Sequence, residues 1–433
     1  MVNFKKIREN TILKNGILYL DFTASGLAYK PIEKKLQEIL LTYSNTHSEV
    51  GLNSLSTTQY YNKARESLKK SLEIDDDFYI IPCGTGATAA IKKFQELMGL
   101  YIPPATKKRY SIDPKELPLV IVGPFEHHSN EVSFREALCE VKRVGLNKED
   151  TFDLKELEEI LKQNQNREIF CTFCVASNVT GIINPIEKIR ELTNRYNAIL
   201  CLDAATSSPY FNIPSKLYDV MFLSPHKLLG GVGSCGLLII KKALCNCNEV
   251  PTFAGGGTVT YVSRSSHKFS KDVETKEDAG TPGILQFIKA SLAYELRNEI
   301  GLENIKNKEQ ELKEEFQKEI KRVKDIELYC SLHHHKLNIF SFNIKNLDPY
   351  HVGDILSEEF YIQLRVGCSC AGPYGHDLLN LEDNAKLKTK PGWIRVGFHF
   401  IHDKEDVRYF VNSLKKSIKM ARYYKKTSRP PCS

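Results

Sequence analysis

The chain is expected to be an α/β protein, with a mostly parallel central sheet in a large domain and a smaller α+β domain at its C-terminal end. Three observations predict this. Short apolar runs alternate with amphipathic helical segments from about residue 75 to 240, a long helical stretch follows, and a second set of strand-like runs ends in a helix.

In chain order, runs of strand length bounded by turn residues lie at Phe78–Pro82, Leu119–Val122, Ile169–Val175, Ile199–Leu202, Val220–Leu223 and Leu237–Ile240. Amphipathic helical patterns, such as Leu154–Gln163 and Ile186–Tyr196, separate several of them. Strands joined through helices imply crossovers, hence a parallel sheet covered on both faces. Residues 241–285 are rich in Gly and Ser/Thr, include Gly255-Gly256-Gly257, and are expected to form loops. Ile284–Val323 then forms a helical bridge to strands at Leu337–Ile344 and Gly392–Phe400 and a closing helix at Lys404–Ile418. The expected division is a large domain over 31–290 and a small one over 291–433, with residues 1–30 packing against the latter. There is no internal repeat or low-complexity tract.

Composition narrows the function classes. At 433 residues the chain has room for two cores, and its 42% hydrophobic and 26% charged residues are ordinary for a globular protein. No apolar run reaches the ~18 residues of a membrane span. The opening Met1-Val2-Asn3-Phe4-Lys5-Lys6 lacks the apolar core of a signal peptide, so a cytoplasmic protein is expected. The net charge of +7 is spread along the chain. Its clearest concentration, Arg422-Tyr423-Tyr424-Lys425-Lys426, reads as a solvated terminus, so no nucleic-acid partner is expected. Twelve cysteines without a secretory signal argue for thiols. Cys171-x-x-Cys174 lies inside an apolar run, where residues three apart face opposite ways, and reads as core. Cys245-x-Cys247 has no matching Cys/His pair nearby, so no metal is expected.

The most informative segment is Ser224-Pro225-His226-Lys227, directly after Val220–Leu223. Ligands gather beyond the C-terminal ends of strands in open α/β sheets. A lysine there can lose its proton and attack a carbonyl, although an isolated one reads better as a surface lysine. Four further features converge on the same edge. Gly84-Thr85-Gly86-Ala87-Thr88 opens a helical run, where glycines and a helix N-terminus suit an anion; it is not a Walker motif. Asp203 ends a strand, and would either pair with a protonated ring nitrogen or cap the next turn. Glu126-His127-His128 offers an imidazole for stacking or proton transfer. Arg365-Val366-Gly367-Cys368-Ser369-Cys370-Ala371-Gly372-Pro373 offers an accessible thiol beside an arginine. Arg365 and Arg395 suit a carboxylate, while Cys368, Cys370 and His376 leave a metal pair open.

Taken in order, these pieces resemble the class V aminotransferase superfamily of fold-type I pyridoxal-phosphate enzymes, in its cysteine desulfurase and selenocysteine lyase branch. The resemblance runs from Tyr19-Leu20-Asp21-Phe22-Thr23-Ala24-Ser25-Gly26 to the last helix. It includes Asn45-Thr46-His47, Ser177-Asn178-Val179-Thr180-Gly181, Asp203-Ala204-Ala205 and Gly280-Thr281-Pro282. It implies a pyridoxal 5'-phosphate cofactor held covalently by Lys227, a ring stacked by His127 and paired to Asp203, and Asn178 near the ring and substrate carboxylate. It implies phosphate binding by Thr85, Gly86, Ser224 and His226, with Thr281 contributed by a second subunit, hence a homodimer with a shared active site. It implies Cys370 as the nucleophile, with Arg365 and Arg395 holding the substrate carboxylate.

Three departures stand out. Thr206 occupies the position where the family usually has Gln or His against the ring hydroxyl. Cys368 and Ser369 stand where His is common, and the stretch from Cys370 to Arg395 is longer than in a typical desulfurase. The expected reaction removes sulfur, or selenium, from L-cysteine or selenocysteine through a Cys370 persulfide, releasing alanine, with a sulfur-acceptor protein as partner. The alternatives are a C–S β-lyase, aminotransferase or epimerase that does not use Cys370, and a non-catalytic binding protein on the same fold.

Overall fold

The computed structural model describes residues 2–46, 50–109, 116–383 and 390–427; His47 lies outside them. The central sheet has seven strands: β1 Phe78–Cys83, β2 Leu119–Val122, β3 Glu140–Arg143, β4 Ile169–Cys174, β5 Ile199–Asp203, β6 Val220–Leu223 and β7 Gly236–Lys241. Their order across the sheet is β1-β7-β6-β5-β4-β2-β3. Only β7 runs antiparallel to its neighbours; the other pairs are parallel.

The near-continuous apolar strands are explained by cover on both sides. Alternate residues enter two cores. Leu119, Ile121, Cys171, Phe173, Leu200 and Leu202 face one, while Val120, Val122, Phe170 and Cys201 face the other. The helix Gly86–Leu97 closes the second core through Ala90, Ile91 and Phe94. Cys171 and Cys174 are buried thiols whose pKa values burial pushes up, as core residues should be.

A four-stranded antiparallel sheet follows, from β8 Ile326–Leu328, β9 Ile339–Ile344, β10 Arg365–Gly367 and β11 Trp393–Gly397, in the order β8-β9-β11-β10. It has its own core, which includes Phe316, Phe340, Phe398 and Phe410. The bridge between the cores is two helices, Ile284–Ile300 and Leu302–Ile320, because Gly301 turns the chain with φ +89. Phe287, Tyr294 and Ile300 of the first pack in the large core, and Leu312 and Phe316 of the second in the small one.

Three sequence expectations need correction or addition. The strand β3, Glu-Val-Lys-Arg, carries no apolar run because it is a half-buried sheet edge, where charged residues are tolerated. Residues 241–285 hold a hairpin, Val259–Val262 with His267–Phe269, and a short helix, Val273–Lys276. The closing helix runs Lys404–Thr427. Among the described residues no helix is long and apolar enough to cross a membrane.

The N-terminal segment ties the two sheets together. Leu18 and Leu20 pack in the small core, and Phe22 and Tyr29 in the large one. Gly26 N–H donates to His226 O at 2.8 Å, and a Cβ on Gly26 would lie 2.1 Å from Leu228 O, so glycine alone permits this approach. Phe22 stacks on His399 at 3.9 Å with the rings within 4° of parallel. His399 is fully buried, neither ring nitrogen has a hydrogen-bond partner, and burial holds its pKa well below the ordinary 6.5.

A depressed imidazole pKa makes stability fall as pH drops below 6.5, where the unfolded chain takes up the proton that the folded chain refuses. His402, lowered by burial to about 4, adds to the same trend. The melting temperature of the cofactor-free protein should therefore decline from neutral pH towards pH 4.5. In His399→Phe, which keeps the stack and removes the unsatisfied nitrogens, the decline should be shallower by differential scanning calorimetry; an unchanged slope would remove His399 from this account.

Candidate active site

Because β1, β2, β4, β5 and β6 point the same way, the segments leaving their C-terminal ends meet along one edge. They enclose a cavity of about 270 Å³. Thr85, Gly86, His127, Asn178, Asp203, Thr206, Ser224, His226 and Lys227 line it from the large sheet, and Arg365, Cys370 and Arg395 from the small one. Thr281 alone among the expected residues lies outside. It is exposed, and its Oγ1 accepts from Asn45 Nδ2 at 3.2 Å.

One end of the cavity is an anion cradle. Gly86 begins the helix Gly86–Leu97 with φ +58, and the next amide, Ala87 N–H, donates to Ser224 Oγ at 2.8 Å. A Cβ on Gly86 would lie 2.7 Å from His226 Cε1 and 2.9 Å from Ser224 Oγ. Gly236 lets β7 abut the same turn, since its Cβ would lie 2.0 Å from Gly86 O. A helix N-terminus, a hydroxyl and an imidazole thus converge more closely than any side chain at position 86 would permit.

The middle of the cavity is dominated by desolvation. Burial lowers the Lys227 ammonium to about 8, even though Asp203 pulls it upward. Burial raises the Asp203 carboxyl, while Ala205 N–H, donating to Oδ1 at 2.9 Å, and Lys227 pull it down. Burial and the nearby Lys227 lower His127 to about 4, so it is neutral at physiological pH. Its Nδ1 accepts from Ser129 N–H at 3.1 Å, which puts the ring proton on Nε2.

Beneath His127, sequence reasoning missed Glu126. It is fully buried, accepts from Cys174 N–H at 2.9 Å and from Asn130 Nδ2 at 2.6 Å, and burial raises its pKa to about 8. Only its place beside two histidines after a strand hinted at it.

The small sheet supplies the other wall. Arg365 and Arg395 sit directly opposite each other on β10 and β11. Arg395 is buried and paired to Asp21 at 2.7 Å, which offsets the like charge across the strands. Its Nη1 also donates to Asn178 O at 3.0 Å. Asn178 Nδ2 donates to Ser369 O at 2.7 Å, leaving its buried Oδ1 with no partner. Cys370 lines the cavity, whereas Cys368 packs on the apolar cluster of Phe125, Tyr374 and Trp393. Among the described residues no three His, Cys, Asp or Glu side chains could hold a metal, so the Cys368, Cys370 and His376 alternative finds no cluster.

With this geometry, comparison with known proteins becomes decisive. The family model described as Aminotransferase class-V matches residues 18–410. The chain belongs to the class-V aminotransferase family. Similar curated proteins include a probable cysteine desulfurase of Pyrococcus abyssi, 26% identical over 96% of this chain and 98% of the relative. Another, from Synechocystis, is also 26% identical, over 95% of this chain and 94% of the relative. Among solved structures, the apo cysteine desulfurase of Thermococcus onnurineus has a TM-score of 0.81 at 23% identity, covering 97% of this chain and 99% of that one. The cysteine desulfurase CsdA of Escherichia coli has a TM-score of 0.78 at 21% identity, covering 97% and 100%. These likenesses establish the fold as the pyridoxal-phosphate fold type I.

A class-V aminotransferase uses pyridoxal 5'-phosphate, and the residues fit that group. The cradle at Gly86 suits its phosphate, the buried Asp203 its ring nitrogen, Lys227 with its lowered pKa its aldehyde, and the unpartnered Asn178 Oδ1 a donor on the ring or substrate. Gly86→Ala should therefore weaken cofactor binding by about tenfold or more, because its methyl needs strained φ and collides with the His226 and Ser224 side chains of the cradle. Equilibrium dialysis against the cofactor checks this, with circular dichroism reporting an unchanged fold.

Proposed function

We propose that this class-V aminotransferase is a cysteine desulfurase that takes sulfur, or selenium, from L-cysteine or selenocysteine and leaves it as a persulfide on Cys370. The observation that carries the reading is the thiol of Cys370 in the same cavity as Lys227, with Arg365 and Arg395 beside it. The similarity to proteins named as cysteine desulfurases supports it.

The roles follow from the site's chemistry. Pyridoxal phosphate, when bound, supplies an electron sink for the charge that develops at the substrate α-carbon. As the family resemblance implies, Thr85, Gly86, Ser224 and His226 would hold its phosphate, Asp203 its ring nitrogen, Thr206 its ring hydroxyl and His127 its ring; all of them line the same cavity. Lys227 would hold it covalently until the substrate amine displaces the lysine, and the freed Nζ would then take the α-proton; the lowered pKa keeps a fraction of that amine neutral near neutral pH. Asn178, Arg365 and Arg395 would bind the substrate carboxylate, whose charge matches the one positive charge the two arginines keep once Asp21 is paired.

Cys370, as the thiolate, attacks the substrate sulfur. The S–S bond forms, the carbon–sulfur bond breaks with its electron pair left on carbon, and that carbon takes a proton to become the methyl of alanine. The balance is L-cysteine plus the Cys370 thiol giving L-alanine plus the Cys370 persulfide. A sulfur acceptor then removes the outer sulfur and restores the thiol.

We also infer a homodimer with a shared site. Thr281 is exposed beside Asn45, and Gly280 N–H donates to Gly256 O at 2.7 Å, so the neighbouring segments carry the exposed apolar residues Leu52 (85%) and Phe253 (73%). Free thiols at all eleven described cysteines fit a reducing compartment such as the cytoplasm.

Purified protein given L-cysteine and a reductant should release alanine and sulfide, and Cys370→Ala should lose both. Pyruvate and ammonia that persist in the variant would instead identify a β-lyase. Lys227→Ala should show no cofactor fixed to the chain after borohydride reduction, as judged by intact mass. Sedimentation should give a dimer, and Leu52→Glu combined with Phe253→Glu should give a monomer that retains cofactor poorly.

A further inference from the structure

We propose that His128 is the positioning residue that holds Cys370 in its attacking conformation, a role that rests on the desulfurase reading. The backbone around the thiol is unusual. Ser369 and Cys370 both occupy the left-handed region, with φ +52 and +57, although neither is glycine. Two such residues in succession persist only when their surroundings hold them.

Three hydrogen bonds do so, all from the large sheet's side of the cavity. Asn178 Nδ2 donates to Ser369 O at 2.7 Å, His128 N–H donates to Cys370 O at 2.8 Å, and Gly372 N–H donates to His128 Nε2 at 2.8 Å. His128 therefore grips the loop on both sides of the Cys370–Ala371 step, by backbone and by side chain.

The side-chain bond has a specific purpose. Gly372 opens the helix Gly372–Leu379, whose N-cap residue, Ala371, has no side chain that can satisfy the first amides. His128 reaches across from the other sheet and caps the helix in its place. Glycine is needed at 372 because a Cβ there would lie 2.9 Å from His128 Nε2. An accepting Nε2 puts the proton on Nδ1, so His128 works neutral. Burial lowers its pKa below the ordinary value; Glu131 opposes this, Arg135 adds to it, and the His127 ring stands 6.3 Å away. His127 and His128, adjacent in the chain, thus divide their work: one faces the cavity and the other fastens the thiol loop.

The test compares the holoenzyme with His128→Leu, which removes the acceptor, and His128→Gln, whose carbonyl oxygen keeps one at similar reach. Absorbance of the lysine-bound cofactor and its change on adding L-cysteine should match wild type in both variants. In a single turnover followed by mass spectrometry, persulfide formation on Cys370 should slow by about tenfold or more in His128→Leu, with KM little changed, and should recover largely in His128→Gln. The alkylation rate of Cys370 by iodoacetamide should shift in His128→Leu and return in His128→Gln. Gly372→Ala, which pushes the imidazole aside with His128 intact, should behave like His128→Leu and serves if that variant does not fold. Wild-type persulfide rates in His128→Leu, or an equal loss in His128→Gln, would overturn the role. If wild type itself forms no persulfide, the desulfurase reading fails, and the alkylation rates, which need no turnover, still score the positioning role.

Discussion

The interaction on which the site depends is the burial of Lys227 within reach of Asp203. A cation and a carboxylate removed from water each lose hydration, and neither fully restores the other. The ammonium therefore gives up its proton more readily, and the carboxyl holds its proton more tightly. Both shifts come from burial, which the remaining architecture provides. The parallel strands bring the segments together, glycines 26, 86 and 236 let them close without gaps, and the small sheet covers the opening.

Closure of the two sheets on each other depends on a few directed contacts. Arg395 reaches Asp21 and Asn178 O, Asn178 reaches Ser369, and Phe22 stacks on His399. Two of these groups, Asn178 and Arg395, also face the cavity. The same two side chains thus line the cavity and join the two sheets.

Much of this was legible in the sequence. The apolar strands were clear because both faces of the sheet are covered, so period-2 patterning gives way to continuous runs whose ends mark the site. Ser224-Pro225-His226-Lys227, Asp203 and His127 could be found because each follows such a run. What escaped notice lacked that signal. The edge strand Glu140–Arg143 is charged, the hairpin at 259–269 is polar and exposed, and the break at Gly301 is one residue in a helical pattern. Glu126 and His128 flank the obvious histidine but act on residues far away in the chain, and spacing cannot reveal such pairings. The direction of Cys368, into an apolar cluster and not the cavity, depends on the two left-handed residues that follow it.

The threading of the N-terminal segment has a consequence for how the protein is made. Leu18 and Leu20 bond to the backbone of Tyr361 and Gln363, Gly397 bonds back to Leu20, and Asp21 waits for Arg395. None of these partners exists until the ribosome has translated nearly the whole message. A nascent chain therefore carries Leu18 to Asp21 without these partners until late in synthesis, whereas Phe22, Gly26 and Tyr29 find theirs in the earlier-made large domain. The contacts that bring the small sheet over the cavity are thus the last for which both halves exist.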